Sequence, residues 1–395
     1  MKIFTFGWEN FSEINPEVLL EIFKKGLRFD SNPDLILIFA PPKFLNLNLS
    51  EKLKREFPST SVVGVSAYGV ISNEKLFYNG ITGLMLKFTK GGSLKVSYEN
   101  NISNKVEEIK EKFKKIYLNP EYPSHLIWTS APNSVINEVL DGLYELPSYP
   151  FSLWGGVASF SHPHGKARIL YEDQIIEDGF LVLSFQKVQI YSSISLGFLP
   201  LGLSYKITKA KENKVYEIEN VSAEKFLEKL FKGTTLKLED LKNKEVVKDT
   251  LWAFPIVLLN REEGYVSVLR TFKNFNLKEG CMEFYGNLRV GDRIKFCIGD
   301  PKLILEDVKK RFNKFRGEVN KNSLEVLIYV SCVARNYIMA KEGHSYEEFS
   351  LCKSLFPEQE IVGFLSFGEI GHDKRNRPGM FYNETSILIG LKEDG

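Results

Sequence analysis

The chain has 395 residues, with 52 basic against 50 acidic side chains, 43% apolar residues and 26% charged ones. Such a length and mixture belong to a globular protein of two or three domains with sizeable cores. The near-neutral balance excludes both the basic excess that phosphate backbones require and a polybasic membrane anchor.

From the N-terminus, Asn15 and Pro16 read as the cap and first residue of a helix, EVLLEIFKKGL. DLILIFA is short and apolar, as in a strand buried on both faces. A helical stretch then stops at Phe57-Pro58, VVGV predicts a second strand, and Phe77-Tyr78-Asn79-Gly80 leads into a third, ITGLMLKF. The plan returns with HLIWTSA, a helix closed by Leu146-Pro147, a strand through Trp154-Gly155-Gly156, and GFLVLSF after Tyr171-Glu172. Ser222 then caps a helix with Phe226, Leu227, Leu230 and Phe231 on one face. LWAFPIVLL, YVSVLRTF, CMEFYG and DRIKFCIG predict strands, with turns at Gly264, Gly280 and Gly291. Asp300-Pro301 opens another helix through Leu303, Val308 and Phe312.

The plan comes a third time as EVLIYVS, a helical stretch carrying Phe349, Cys352, Leu355 and Phe356, then IVGF and TSILIGLK. Leu37-Ile38-Phe39, Leu126-Ile127-Trp128 and Leu327-Ile328-Tyr329 align as the openings of three copies of strand–helix–strand–strand. Strand–helix–strand with such connections favours parallel pairing through a right-handed crossover. The expected fold class is α+β (mixed α/β), with mixed sheets flanked by helices in two closely packed halves. Residues 1–190 would hold two copies, and 191–395 the third with a strand-rich insertion.

Chemistry-bearing residues gather in the third copy. Arg335 lies just past its first strand and Glu369 just past its second, at the edge where open α/β sheets place ligands. The two suit the carboxylate and ammonium of a zwitterion such as an amino acid, and equally they suit each other as a structural ion pair. Cys332, at a helix start near an arginine, is either a thiol of lowered pKa or a small apolar filler. Gly64 and Gly69 stand five apart, as do Gly363 and Gly368, allowing close backbone approach to a ligand or a tight turn. The middle copy has Phe160 where the second glycine would fall. Tyr382, Asn383 and Thr385 could bond a ligand or shape a turn, and Arg270 could reach the same pocket or face solvent.

Ser66, in GVSAYG, is not a nucleophile elbow, because the second glycine comes one residue late and a strand follows it. His162 and His164 lack further metal ligands and read as a loop, and no phosphate-binding loop is present. Cys281, Cys297, Cys332 and Cys352 fit no metal or redox spacing. With no signal-peptide core and no apolar run of about 18 residues, a cytoplasmic location with reduced thiols is expected.

Ser331-Cys332 with Arg335, Gly363-Phe364, Phe367-Gly368-Glu369-Ile370 and Asn383-Glu384-Thr385 resemble the C-terminal half of the FIST-domain family. GVSAYG after its Phe-Pro stop resembles the N-terminal half, and GFLPLG, ITKA and NKVYEI resemble the link. Arg270 falls where the family tends to place an arginine, and the resemblance spans about residues 1–392. It implies a small-ligand-binding sensory module of intracellular signal transduction, with amino acids as suggested ligands. The expected ligand-binding set is Arg335, Glu369, Cys332, Gly368, Asn383, Thr385, Arg270, Gly64 and Ser66. No catalytic residue, metal or cofactor is expected, nor nucleic acid or membrane insertion, and the signal would pass to a separate protein. A protein-interaction scaffold, motivated by the family's occurrence in F-box proteins, is the alternative. A thiol-dependent enzyme using Cys332, Arg335 and Glu369 is a further one.

Overall fold

Short apolar runs separated by proline-stopped helices fold three times into one unit. The computed structural model describes all residues except 10–15, 27–31, 162–164, 260–265, 320–323 and 373–375. Asn15, His162, His164 and Gly264 therefore lie outside the described residues.

The first unit comprises β1 (Lys2–Trp8), α1 (Pro16–Gly26), β2 (Leu35–Ala40), α2 (Leu47–Glu56), β3 (Ser61–Ser66), β4 (Val70–Ser72), β5 (Lys75–Phe77) and β6 (Ile81–Lys87). The second comprises β7 (Ser93–Asn100), α3 (Val106–Tyr117), β8 (Ser124–Thr129), α4 (Asn133–Asp141), β9 (Ser152–Val157), β10 (Ile169–Tyr171), β11 (Gln174–Ile176) and β12 (Gly179–Gln186). The third opens with β13 (Val188–Ser195) and is at once interrupted. The insertion holds β14 (Phe198–Lys211), β15 (Lys214–Ile218), β16 (Val221–Ser222), α5 (Ala223–Leu230), α6 (Lys244–Leu251), β17 (Ile256–Leu259), β18 (Val266–Arg270), β19 (Phe272–Asn276), β20 (Cys281–Phe284) and β21 (Arg293–Gly299). The unit resumes with α7 (Pro301–Glu318), β22 (Val326–Cys332), α8 (Val333–Lys341), α9 (Glu347–Leu355), β23 (Ile361–Ser366), β24 (Glu369–Gly371), β25 (Met380–Tyr382) and β26 (Ser386–Glu393).

Each unit is built on a parallel pair, β2/β3, β8/β9 or β22/β23. The last strand of the unit lies antiparallel on the other side of the first member, and the opening strand flanks that. The hairpin between them leaves its own unit. β4–β5 extends the third unit through β23, β10–β11 extends the first through β3, and β24–β25 extends the second through β9. Three six-stranded sheets are thus closed into a ring by exchanged arms. The closing strand of each copy stays in its own unit, as the repeat suggests, and only the short hairpin before it is exchanged.

The strands are apolar throughout because both their faces are buried. Inward side chains, including Phe39, Trp128 and Val330, share one central core, while the outward faces pack under helices in separate clusters. At the centre Phe39, Trp128 and Phe364 meet with ring centroids 4.9–5.7 Å apart. The third copy is therefore shifted by one residue from the sequence alignment. Val330, not Tyr329, takes the inward place, and Tyr329 packs outward against Phe312 and Phe349. A shift of one residue along a strand exchanges its faces, and a run apolar on both faces carries no period to fix it. Glycine is required at two of the paired positions. A Cβ on Gly155 or Gly363 would lie 1.8 or 1.9 Å from the Ile127 or Tyr329 carbonyl oxygen.

In the insertion the strand path begins at β18 and ends at β19, which only Thr271 separates in sequence. The sheet therefore curls until its two ends meet at that residue. Ser222 caps α5 and Asp300 caps α7, where Pro301 supplies the first turn. The segment read as LWAFPIVLL becomes a strand only at Ile256, since Leu251 ends α6.

Candidate functional site

β22 and β23 end side by side with Cys332 opposite Ser366, and Cys332 is the residue from which α8 starts. The third exchanged hairpin opens on Glu369. Val70 and Ile169 open the other two, at equivalent pairing positions, and both belong to the apolar central core. The third unit thus buries a carboxyl where the fold elsewhere uses an aliphatic side chain. Burying a carboxyl costs several kcal/mol unless partners compensate, which singles this position out among the three hairpins.

Glu369 is fully buried, and its partners are neutral. Its carboxyl accepts from the Ser366 hydroxyl, from the Thr385 hydroxyl at 2.6 Å and from the Thr385 N–H at 3.3 Å. Burial pushes its pKa up to about 8, against these hydrogen bonds and the field of Arg335. Glu384 is also fully buried and raised to about 8, by burial and by Glu369. It accepts the Thr271 hydroxyl at 2.8 Å, while its Oε2 has no partner, and its backbone sits at φ +55°. A non-glycine residue in the left-handed region is held there by its surroundings at some cost.

Cys332 completes this cluster. Its thiol is pushed well above its ordinary value, first by burial and then by Glu369 and Glu384. That corrects the expectation of a thiol lowered by the helix start and an arginine. Tyr285 from the insertion closes the group and is raised to about 12 by burial, with Cys332 and Glu384 adding to the effect. All four cysteines are buried. The native protein is therefore expected to show almost no reaction with a thiol-specific reagent, and four reactive thiols once urea is added. Rapid native labelling of Cys332 would contradict this placement.

Arg335 and Glu369 do not pair. Arg335 Nε donates to Glu348 on α9 at 3.0 Å, with both side chains buried. Its Nη1 donates to the Leu196 and Glu384 carbonyls, and its Nη2 to the Ser195 hydroxyl at 3.1 Å. Four of the five guanidinium N–H groups are used by protein groups, which leaves no two-pronged fork for a ligand carboxylate. The Ser195 hydroxyl donates in turn to Asp307 on α7 at 2.9 Å, and the Leu196 N–H to the same oxygen at 2.8 Å. Asp307 also accepts from Arg311 Nε at 3.4 Å.

Arg311 lines a cleft of about 260 Å³ together with Ser192, Lys314, Trp154, His372 and Tyr382. The cleft occupies the seam between an opening strand, β13, and the hairpin of its own unit, β24–β25. At the two equivalent seams described side chains are in close contact. In the first, a Cβ on Gly7 would lie 2.3 Å from the Ser72 hydroxyl, and in the second Tyr98 packs on Tyr171 with centroids 5.4 Å apart. A hydrogen-bonded chain therefore runs from the third seam through Asp307, Ser195 and Arg335 to Glu384 and on to Thr271 of the insertion.

Of the residues expected from sequence, Cys332, Glu369 and Thr385 come together, with Arg335 behind them. Gly368 packs under the Phe381 ring, and buried Asn383 has an unpartnered Oδ1. Arg270 turns away, donating to the Asn287 and Phe381 carbonyls and to Asn137 Oδ1, and so ties the insertion to α4 and β25. Gly64 and Ser66 serve the junction of β3 and β10, where Ser66 Oγ accepts the Arg168 N–H at 2.9 Å.

Sequence reading missed Glu348, Thr271, Tyr285, Asp307 and Arg311. Glu348 did leave a signal, since it stands four and seven residues before Cys352 and Leu355 on the buried stripe of α9. A carboxyl there announces a buried cation. Thr271 and Tyr285 left none, because only the curl of the insertion brings them in.

Among the described residues no helix is long and apolar enough to cross a membrane. The family patterns described as FIST N domain and FIST C domain match residues 34–221 and 225–372. A protein of Aquifex aeolicus (strain VF5), described as an uncharacterized protein, is 27% identical over 282 residues, which is 67% of this chain and 97% of its own length. The chain belongs to the FIST family, whose domains are associated with sensing in signal transduction.

Proposed function

We propose that this protein is a cytoplasmic sensory module that takes a small charged metabolite and passes the signal to a separate protein. One observation carries the reading. The third of three equivalent seams holds a cleft, and it connects by hydrogen bonds to a buried polar cluster roofed by the insertion. Occupancy of the cleft can then bias the packing of the insertion, which makes the insertion the natural face to present to a partner. A thiol-dependent enzyme fits less well, because the Cys332 thiol is buried and held protonated.

The test is a thermal-shift screen of charged metabolites on the full chain, repeated on Arg311→Ala. A binder whose shift disappears in Arg311→Ala supports the cleft. A binder that shifts both proteins equally places the site elsewhere, and no binder across a broad screen favours the scaffold reading.

A further inference from the structure

We propose that the cleft between β13, α7 and the third hairpin takes a small carboxylate without an α-ammonium group, held by the guanidinium fork of Arg311. The proposal rests on the reading of that cleft as the ligand site, and it replaces Arg335 by Arg311 as the anion-binding residue.

The fork borders the cleft. Asp307 engages only the Nε edge of Arg311, and among the described residues neither Nη atom has a hydrogen-bond partner. Asp307 is itself fixed by the Ser195 hydroxyl and the Leu196 N–H, so Arg311 is oriented before any ligand arrives. Such preorganisation lowers the entropic cost of binding, and a two-pronged guanidinium matches a carboxylate. Lys314 stands one turn along α7 and also lines the cleft. Its contact with Glu318, 3.5 Å between exposed side chains, is weak enough to yield to a ligand.

The lining offers an ammonium little. Among the described residues Glu318 is its one carboxylate, and Lys314 already faces it. It also stands seven residues from Arg311, about 10 Å along the helix axis. An α-amino acid carries its ammonium beside its carboxylate and cannot reach both groups. Among the described residues the opposite wall supplies no carboxylate either. Trp154 stacks on His372 with centroids 4.9 Å apart. The Leu153 N–H donates to His372 Nε2 at 2.9 Å, and the ring's Nδ1 lies 3.1 Å from Asn376 Oδ1. The Tyr382 hydroxyl donates to the His372 carbonyl. With Phe315, these rings form a surface for an uncharged ligand body.

The experiment is titration calorimetry on the full chain with matched pairs: phenylacetate against phenylglycine, propionate against alanine, and 3-hydroxybutyrate against threonine. At least one plain carboxylate is expected to bind about tenfold or more tightly than its amino partner, with that advantage lost in Arg311→Gln. Lys314→Gln should weaken binding less. Arg311 is a partly exposed position on α7, so its variant keeps the fold, which circular dichroism checks. Amino acids binding as well as their partners, with loss in Arg311→Gln, would overturn the ligand class and leave the cleft standing. Binding that Arg311→Gln leaves intact, or no binding by either series, would overturn the cleft as the site.

Discussion

Arg335→Ala is expected to lower the free energy of unfolding by about 3–5 kcal/mol, the cost of breaking a buried ion pair from one side. The substitution strands Glu348, whose Oε1 would keep only the Tyr329 hydroxyl and whose Oε2 already lacks a partner. It also removes the donors serving the Leu196 and Glu384 carbonyls and the Ser195 hydroxyl. Arg335→Lys should recover little, because one ammonium cannot reproduce a fork spread over β13, α9 and the loop before β26. The double change Arg335→Met with Glu348→Leu removes the stranded charge and should recover most of the loss. Urea denaturation of the four proteins measures this. If Arg335→Ala proves no less stable than the parent while abolishing ligand binding, Arg335 is a ligand residue and the pairing with Glu348 does not matter.

That contrast also marks what the sequence could and could not disclose. The threefold repeat was legible because each unit repeats the same apolar strands, proline stops and closing strand. The register of β22 was not, since EVLIYVS is apolar on both faces and nothing in it separates Tyr329 from Val330. The exchange of hairpins was hidden for a different reason. The pairing of Val70 with Phe364 across nearly three hundred residues depends on closure of the ring, and no local signal encodes it.

For the candidate site, Glu369 was visible as a charged residue at a strand end. Its oddness emerges only when Val70 and Ile169 are seen at the equivalent positions. Arg335 was visible at a strand end, where Glu369 was the expected neighbour, whereas helix packing supplies Glu348 as its partner. Arg311 reads as one more cation in the basic stretch of α7 until β13 and the hairpin are folded against it.

The second large effect is a loss of stability as pH rises from about 5 to 8. An unfolded glutamate gives up its proton near pH 4.5, whereas Glu369 and Glu384 in the folded protein keep theirs to about 8. Between these values the folded state binds more protons than the unfolded one, so their contribution is fully present below the unfolded value and is lost as pH rises through 8. The slope is about 1.4 kcal/mol per pH unit for each group. Glu369→Gln keeps an acceptor for Ser366 and Thr385 but cannot titrate, so it should flatten the profile by one group's share, and Glu384→Gln should do the same. With both changed, urea midpoints at pH 5.5 and 7.5 should draw together. A Glu369→Gln profile as steep as the parent's would mean that the carboxyl is already ionised in the fold. The cluster would then hold a buried negative charge that Arg335 helps to balance, and Arg335→Ala would cost more at pH 7.5 than at pH 5.5. If the carboxyls are protonated, the cost of Arg335→Ala should depend little on pH across this interval, because Glu348 sets it. The two variants thus check each other, one reading the charge of the cluster directly and the other through the cation behind it.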